Sequence, residues 1–249
     1  MMRVLLGTAI LSALALSLSG QLHPFPGPGV RAVGGAGPAF VSYSGATDDA
    51  SSTTITTSGS LTIGTGDCLV CVAMGLANTV SGITCGGSNA FVAVRTDPQH
   101  YVDGYAVELW YKTNAVSGTT TCTATFNSAV TYRRIGCVNF SGLAANGVLD
   151  QNSCNDAGCT ATSSHATVRT ATDVTTTAAS EVLVFTSAEY DTHTYAGANG
   201  YTVLSPASGV DYSYAYKIVS STGSHPNGTV VTVNDATYDT YISGFATFR

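Results

Sequence analysis

The chain has 249 residues and a formal charge of −6; 10% of its residues are charged, against roughly 25% in an average soluble domain, while Ser and Thr supply about a quarter. A hydroxylated, mildly acidic surface lacks the Lys and Arg clusters that phosphate backbones attract, which excludes nucleic acid as a partner. The length leaves room for one large hydrophobic core.

In chain order, Met1-Met2-Arg3 and the apolar run Val4 to Leu18, closed by Ser17-Leu18-Ser19-Gly20-Gln21, read as a secretory signal peptide over residues 1–20. The run is too short for a comfortable membrane span. The expectation is a secreted, extracellular or cell-surface protein with no membrane span in the mature chain. Residues 21–38 interleave Pro24, Pro26, Pro28 and Pro38 with five glycines, a composition that fills neither a helix nor a central strand and predicts an extended tether. From residue 39 to 249 short apolar segments alternate with Gly, Asn, Asp and Ser, the spacing of an all-β fold. We expect a single antiparallel β-sandwich, jelly-roll-like, with disulfides.

Strands are predicted at residues 39–43, 60–63, 68–76, 91–95, 105–112, 119–126, 134–140, 181–187, 212–219, 229–233 and 241–248, where β-branched and aromatic residues concentrate. In the sixth of these, Cys122, Ala124 and Phe126 share a face, and that face is expected to be core. All seven cysteines follow the leader, and an oxidising compartment favours disulfides. Cys154 and Cys159 enclose the turn-forming Asn155-Asp156-Ala157-Gly158, the clearest pair; Cys85 with Cys122 is the second. Cys137 then competes for Cys68 or Cys71, and the loser becomes a buried thiol or an interchain link. Cys68 and Cys71 point to opposite strand faces, so a redox or zinc pair there is not expected.

Gly66-Asp67-Cys68-Leu69-Val70, Ile83-Thr84-Cys85-Gly86-Gly87-Ser88-Asn89-Ala90-Phe91, Val107-Glu108-Leu109-Trp110-Tyr111-Lys112-Thr113-Asn114 and Asn139-Phe140-Ser141-Gly142-Leu143 follow one another in an order that resembles a broad class of secreted bacterial and phage-associated β-sandwich modules. The resemblance covers most of residues 60–249 and implies a structural or binding role without catalytic residues. Where such modules often carry Asp after the Thr, this chain has Cys85, which favours a disulfide over an acidic site at that turn.

Catalytic candidates are few. Asp103 with Glu108 and Glu189 with Asp191 are the carboxylate pairs that a polysaccharide-active enzyme would need about 5 to 10 Å apart. Glu189, Asp191 and His193 alternate along a strand, a spacing that aims three metal ligands one way. Asp150, Asn152, Asn155 and Asp156 form an oxygen-rich loop suited to a structural calcium. Tyr212, Tyr214 and Tyr216 share one strand face with Ile218: exposed, they would bind a partner or stack sugar rings; buried, they are core. Asn139-Phe140-Ser141 and Asn227-Gly228-Thr229 fit the glycosylation sequon. Phe40, Val41 and Tyr43 begin the first strand after the tether, where an extended segment can add to a neighbour's open sheet edge. The function expected is a non-enzymatic extracellular structural or assembly subunit of a surface, appendage or matrix, self-associating into filaments through its N-terminal segment. A carbohydrate-binding module recognising extracellular glycan, and a secreted hydrolase or lyase, are the alternatives.

Overall fold

The computed structural model describes residues 37–76, 78–95, 105–144, 148–154, 162–164, 168–205, 210–234 and 239–249. The expected leader and almost all of the tether lie outside them. No described residue is helical, and no helix is long and apolar enough to cross a membrane. The longer strands are β1 (Ala39–Asp48), β2 (Ser52–Thr56), β3 (Cys68–Leu76), β4 (Val80–Cys85), β5 (Tyr105–Lys112), β6 (Cys122–Val130), β7 (Arg133–Ser141), β8 (Leu149–Cys154), β9 (Glu181–His193), β10 (Val210–Val219) and β11 (Asp239–Phe248).

Every pairing among them is antiparallel. One sheet runs β1-β7-β3-β5 and ends on Val92–Ala93; a second runs β2-β6-β4 and ends on Asn89–Ala90; a third runs β8-β11-β9-β10 and ends on Thr202–Val203. The all-β antiparallel class is as expected, and its arrangement is richer than one pair of sheets. On β3, Cys68, Val70, Val72 and Met74 enter a core shared with β9, β10 and β11, whereas Leu69, Cys71 and Ala73 enter another shared with β4 and β6. Side chains alternate across a strand, so the first sheet is a central layer with one sheet on each face. That explains the uninterrupted apolar run of β3, which an antiparallel sheet with one wet face would not show.

Strand β7 applies the same alternation to polar groups. Arg133 points to one outer layer, donating to the Thr54 carbonyl, the Ala50 carbonyl (3.2 and 2.5 Å) and Asp48 (2.7 Å). Arg134 points to the other, gripping both oxygens of Asp211 at 2.7 and 2.9 Å and Asp49 at 2.7 Å. The Tyr214 hydroxyl crosses between layers to donate to the Val70 carbonyl at 2.9 Å.

Three of these longer strands were not expected. β2 is Ser-Thr-Thr-Ile-Thr, β4 carries Ser81 and Gly82, and β8 is Leu-Asp-Gln-Asn-Ser-Cys. Each buries too few apolar residues to announce itself, and each is recruited by a neighbour: β2 and β4 by β6, β8 by β11. The disulfide Cys85–Cys122 is present, as expected, and Cys137 pairs with Cys71, which leaves Cys68 as a buried thiol. Cys154 is disulfide-bonded; its expected partner Cys159 lies outside the described residues.

Both described bridges join neighbouring strands, at sequence separations of 66 and 37. Loop-closure entropy makes each worth about 4 kcal/mol. Urea unfolding under non-reducing conditions should therefore place the Cys71→Ala/Cys137→Ala variant about 4 kcal/mol below the wild type; an unchanged midpoint and slope would remove the bridge from the account of stability.

Candidate functional site

Strand β1 is the edge of the central sheet and pairs along its length with β7. A register shift between Phe40 and Ser42 accommodates Val41 as an extra residue, which bends an edge strand locally. Phe40 and Val41 each keep 39% exposure. The Phe40 ring stacks on Tyr216 at 5.3 Å with planes 14° apart and meets Phe140 edge-on at 6.4 Å. Three residues later Tyr43 packs on Tyr214 at 6.0 Å. Two sets of residues from opposite ends of the chain thus form one aromatic ladder between β1 and β10.

The tyrosines divide along β10. Tyr212 and Tyr214 are 1% and 0% exposed, so of the two alternatives left open for the tyrosines these two take the core one and do not form an open ligand strip. Tyr216 is half-buried and Ile218 is 38% exposed; the aromatic face emerges beside the start of β1.

Tyr43 fits because glycines lie under it. A Cβ at Gly45 would come within 2.5 Å of its hydroxyl, and one at Gly136, the cross-strand partner of Gly45, within 3.1 Å. Next to this slot, β1 from Tyr43 to Thr47 and the Ser58–Gly59 segment face Leu204 and Tyr212 across an open groove of about 620 Å³, a size common for small-molecule sites. Ser44 and Ser58 already donate to the Gly59 and Gly45 carbonyls, each at 2.7 Å. The hydroxyls of Tyr43 and Tyr212 are buried beside one another, where each serves the other as a polar neighbour. Burial, then the nearby Tyr212 and Tyr214, push the Tyr43 phenol far above its usual value, and burial likewise raises Tyr212. Both remain neutral.

The carboxylates expected as catalytic pairs are spent inside the protein. Glu108 accepts the Val80 amide at 2.8 Å and the Trp110 indole at 3.1 Å, and burial raises its carboxyl against both bonds; Asp103 lies outside the described residues. Glu189 receives Arg169 through both oxygens at 2.9 and 2.6 Å, with His193 Nε2 at 3.2 Å. Asp191 is exposed, and the register shift between Ala188 and His193 breaks the expected alternation. The three do not gather as metal ligands. Among the described residues, ligand atoms of three or more such groups converge at Cys71, Cys85, Cys122 and Cys137 alone.

Of the four oxygen donors expected in one calcium-binding loop, two are described, and neither lies in a loop. Asp150 and Asn152 belong to strand β8; Asp150 accepts the Thr177 amide at 2.8 Å and the Thr177 hydroxyl and lies 3.3 Å from Arg249, while Asn152 accepts Arg95 at 3.4 Å. With an arginine on each, they are not free oxygen donors. Asn155 and Asp156 lie outside the described residues. The sequon at Asn139 is likewise closed: Asn139 is fully buried and donates to Asp67 and the Thr62 carbonyl, both at 2.7 Å, whereas Asn227 is exposed in a turn.

The chain matches no protein-family model, no curated protein and no solved structure. The motifs that carry the resemblance serve structure. Asp67 holds Asn139 and the Gly64 amide (2.7 Å), joining the first motif to the last, and Asn89 exchanges two hydrogen bonds with the Val116 backbone.

One carboxyl pair escaped the sequence reading. Glu181 is buried beside Asp150 and accepts the Ala178 amide at 2.7 Å. Burial, and then the Asp150 charge, raise its carboxyl above the ordinary 4.5. Burial also acts to raise Asp150, but the Thr177 hydrogen bonds, Glu181 and Arg249 outweigh it and hold Asp150 below the ordinary 3.8. Glu181 therefore contributes stability that is complete below about pH 4.5 and is lost as pH rises through its higher folded value; Asp150 contributes stability present above about pH 3.8 and lost as pH falls. In urea unfolding across pH 4 to 8, Glu181→Gln should gain on the wild type as pH rises, and a difference independent of pH would show that the pair does not share its proton in this way.

Proposed function

We propose that the chain is a non-enzymatic extracellular structural subunit that assembles through β1. The observation that carries this reading is the position of that strand: N-terminal, at a sheet edge, and starting on the exposed apolar residues Phe40 and Val41. Among the described residues β1 is the first strand and pairs with β7 alone, so its departure would expose the whole pairing edge of β7. The same strand from a second copy fits that edge in the same register, which is strand addition between identical chains. Its connection to β2 crosses from the central to an outer sheet at residues 49–51, a short span over which the direction of β1 can change.

Other features support a subunit rather than an enzyme. The buried carboxylates Glu108 and Glu189 are held by internal donors, and the surface is rich in hydroxyls and poor in charge, compatible with dense packing of copies. The 620 Å³ groove, lined by Tyr43, Ser44, Ser58 and Tyr212, favours a second reading, a site for a neutral glycan.

Light scattering and negative-stain microscopy of the purified chain test the first reading. Concentration-dependent polymers are expected, capped to short species by excess synthetic peptide spanning residues 37–48, and weakened at least tenfold by Phe40→Ala/Val41→Ser, which alters exposed side chains. A chain that stays monomeric at all concentrations, or polymers indifferent to both peptide and variant, would overturn it. A glycan array then decides the second reading, with Tyr43→Phe expected to reduce binding.

A further inference from the structure

Cys71 and Cys137 face each other across β3 and β7, and Cys85 and Cys122 across β4 and β6. All four are buried in the core between the central sheet and the β2-β6-β4 sheet, and their Sγ atoms lie within 4.8 Å of one another. We propose that these four cysteines, when reduced, form a tetrathiolate site for zinc, so that the redox state selects between two disulfides and one metal centre.

The geometry suits a tetrahedron. Zinc–sulfur bonds of about 2.3 Å set four sulfurs about 3.8 Å apart. Each cysteine pair stands on Cα atoms 4.1 Å apart, so two unbonded sulfurs reach that separation by turning about their own side-chain bonds. Two ligands come from each layer, and the ion sits between the layers where water does not compete. Four soft donors with no oxygen or nitrogen beside them select zinc over calcium or magnesium. Cys68 takes no part: it points into the opposite core, and burial pushes its thiol up to about 12.

The chemistry balances with a dithiol as reductant. Each disulfide takes up two electrons and two protons, and one dithiol per bridge closes to its own disulfide. Zinc then displaces four thiol protons and leaves a centre of net charge −2. The two disulfides each link neighbouring strands within one layer; the metal would hold the same four positions together and link the two layers as well.

Cobalt is the probe. The full chain, reduced with a dithiol and freed of it without air, should bind one equivalent of Co²⁺ with the thiolate charge-transfer and red d–d absorption of a tetrahedral sulfur site, and zinc should displace it. The oxidised chain should show neither. Cys68→Ser/Cys154→Ser/Cys159→Ser should keep the spectrum and Cys85→Ser/Cys122→Ser should lose it. A reduced chain that retains its β circular dichroism without cobalt absorption, one that unfolds on reduction and is not refolded by cobalt, or bands that survive Cys85→Ser/Cys122→Ser would each overturn the assignment.

Discussion

Strands β3 and β7 are shielded on both faces along almost their whole length, so each of their residues must satisfy one of two cores. Alternation then assigns everything else. Odd positions of β3 meet the β2-β6-β4 sheet and even positions the β8-β11-β9-β10 sheet; on β7 the same rule sends Cys137 to the first core and Val138 and Phe140 to the second. A one-residue slip would exchange the two faces and bring Arg133 and Arg134 to the wrong acceptors, so register is specified far more strongly than in a sheet with one solvated face. The disulfide Cys71–Cys137 fixes that register covalently.

Charge follows the same plan. The chain has nine Lys and Arg, and three of the arginines, at 133, 134 and 169, are buried. Each meets a carboxylate at 2.6–2.7 Å. Arg134–Asp211 and Arg169–Glu189 are buried on both sides; such pairs add little net stability relative to apolar replacements, but removing one partner strands the other at a cost of about 3–5 kcal/mol. Their effect here is orientation: Arg133 and Arg134 anchor opposite layers from adjacent positions on one strand. Part of the small ionic complement is thus consumed in holding the three layers together.

What was legible in the sequence was whatever depends on local alternation. β3 and β5 have the bounds that patterning suggested, the Cys85–Cys122 bridge was visible, and the divergence of Cys68 and Cys71 followed from strand geometry alone. Polar strands were not legible, because β2 and β8 owe their conformation to neighbours far along the chain. The error at Asp150 and Asn152 came from that source: an oxygen-rich stretch resembles a loop until β11 pairs with it. The Glu189–His193 contact depended on a bulge that no residue type announces, and the proximity of Asp150 to Glu181 on the pairing of β8 and β9 with a common neighbour, β11. Phe40 and Tyr216 were each singled out for reasons of their own; that they stack on one another is a product of topology.

The aromatic ladder links the edge strand to the outer layer, and its two halves differ. Tyr43 is locked over Gly45 and Gly136 and packs on the buried Tyr214, while Phe40 rests on the half-exposed Tyr216. The N-terminal half of β1 is therefore held by a surface contact and the rest by the core and by the salt bridges of Asp48 and Asp49 to the arginines of β7. In the proposed assembly, exchange of the strand between copies would break these contacts and re-form the same ones in the neighbour, so the free energies of closed and exchanged forms would differ chiefly in the short β1–β2 connection and in the entropy of association. Concentration would then decide between them, and in that proposal release would begin at the Phe40 end, which is 39% exposed and so has the least buried area to give up.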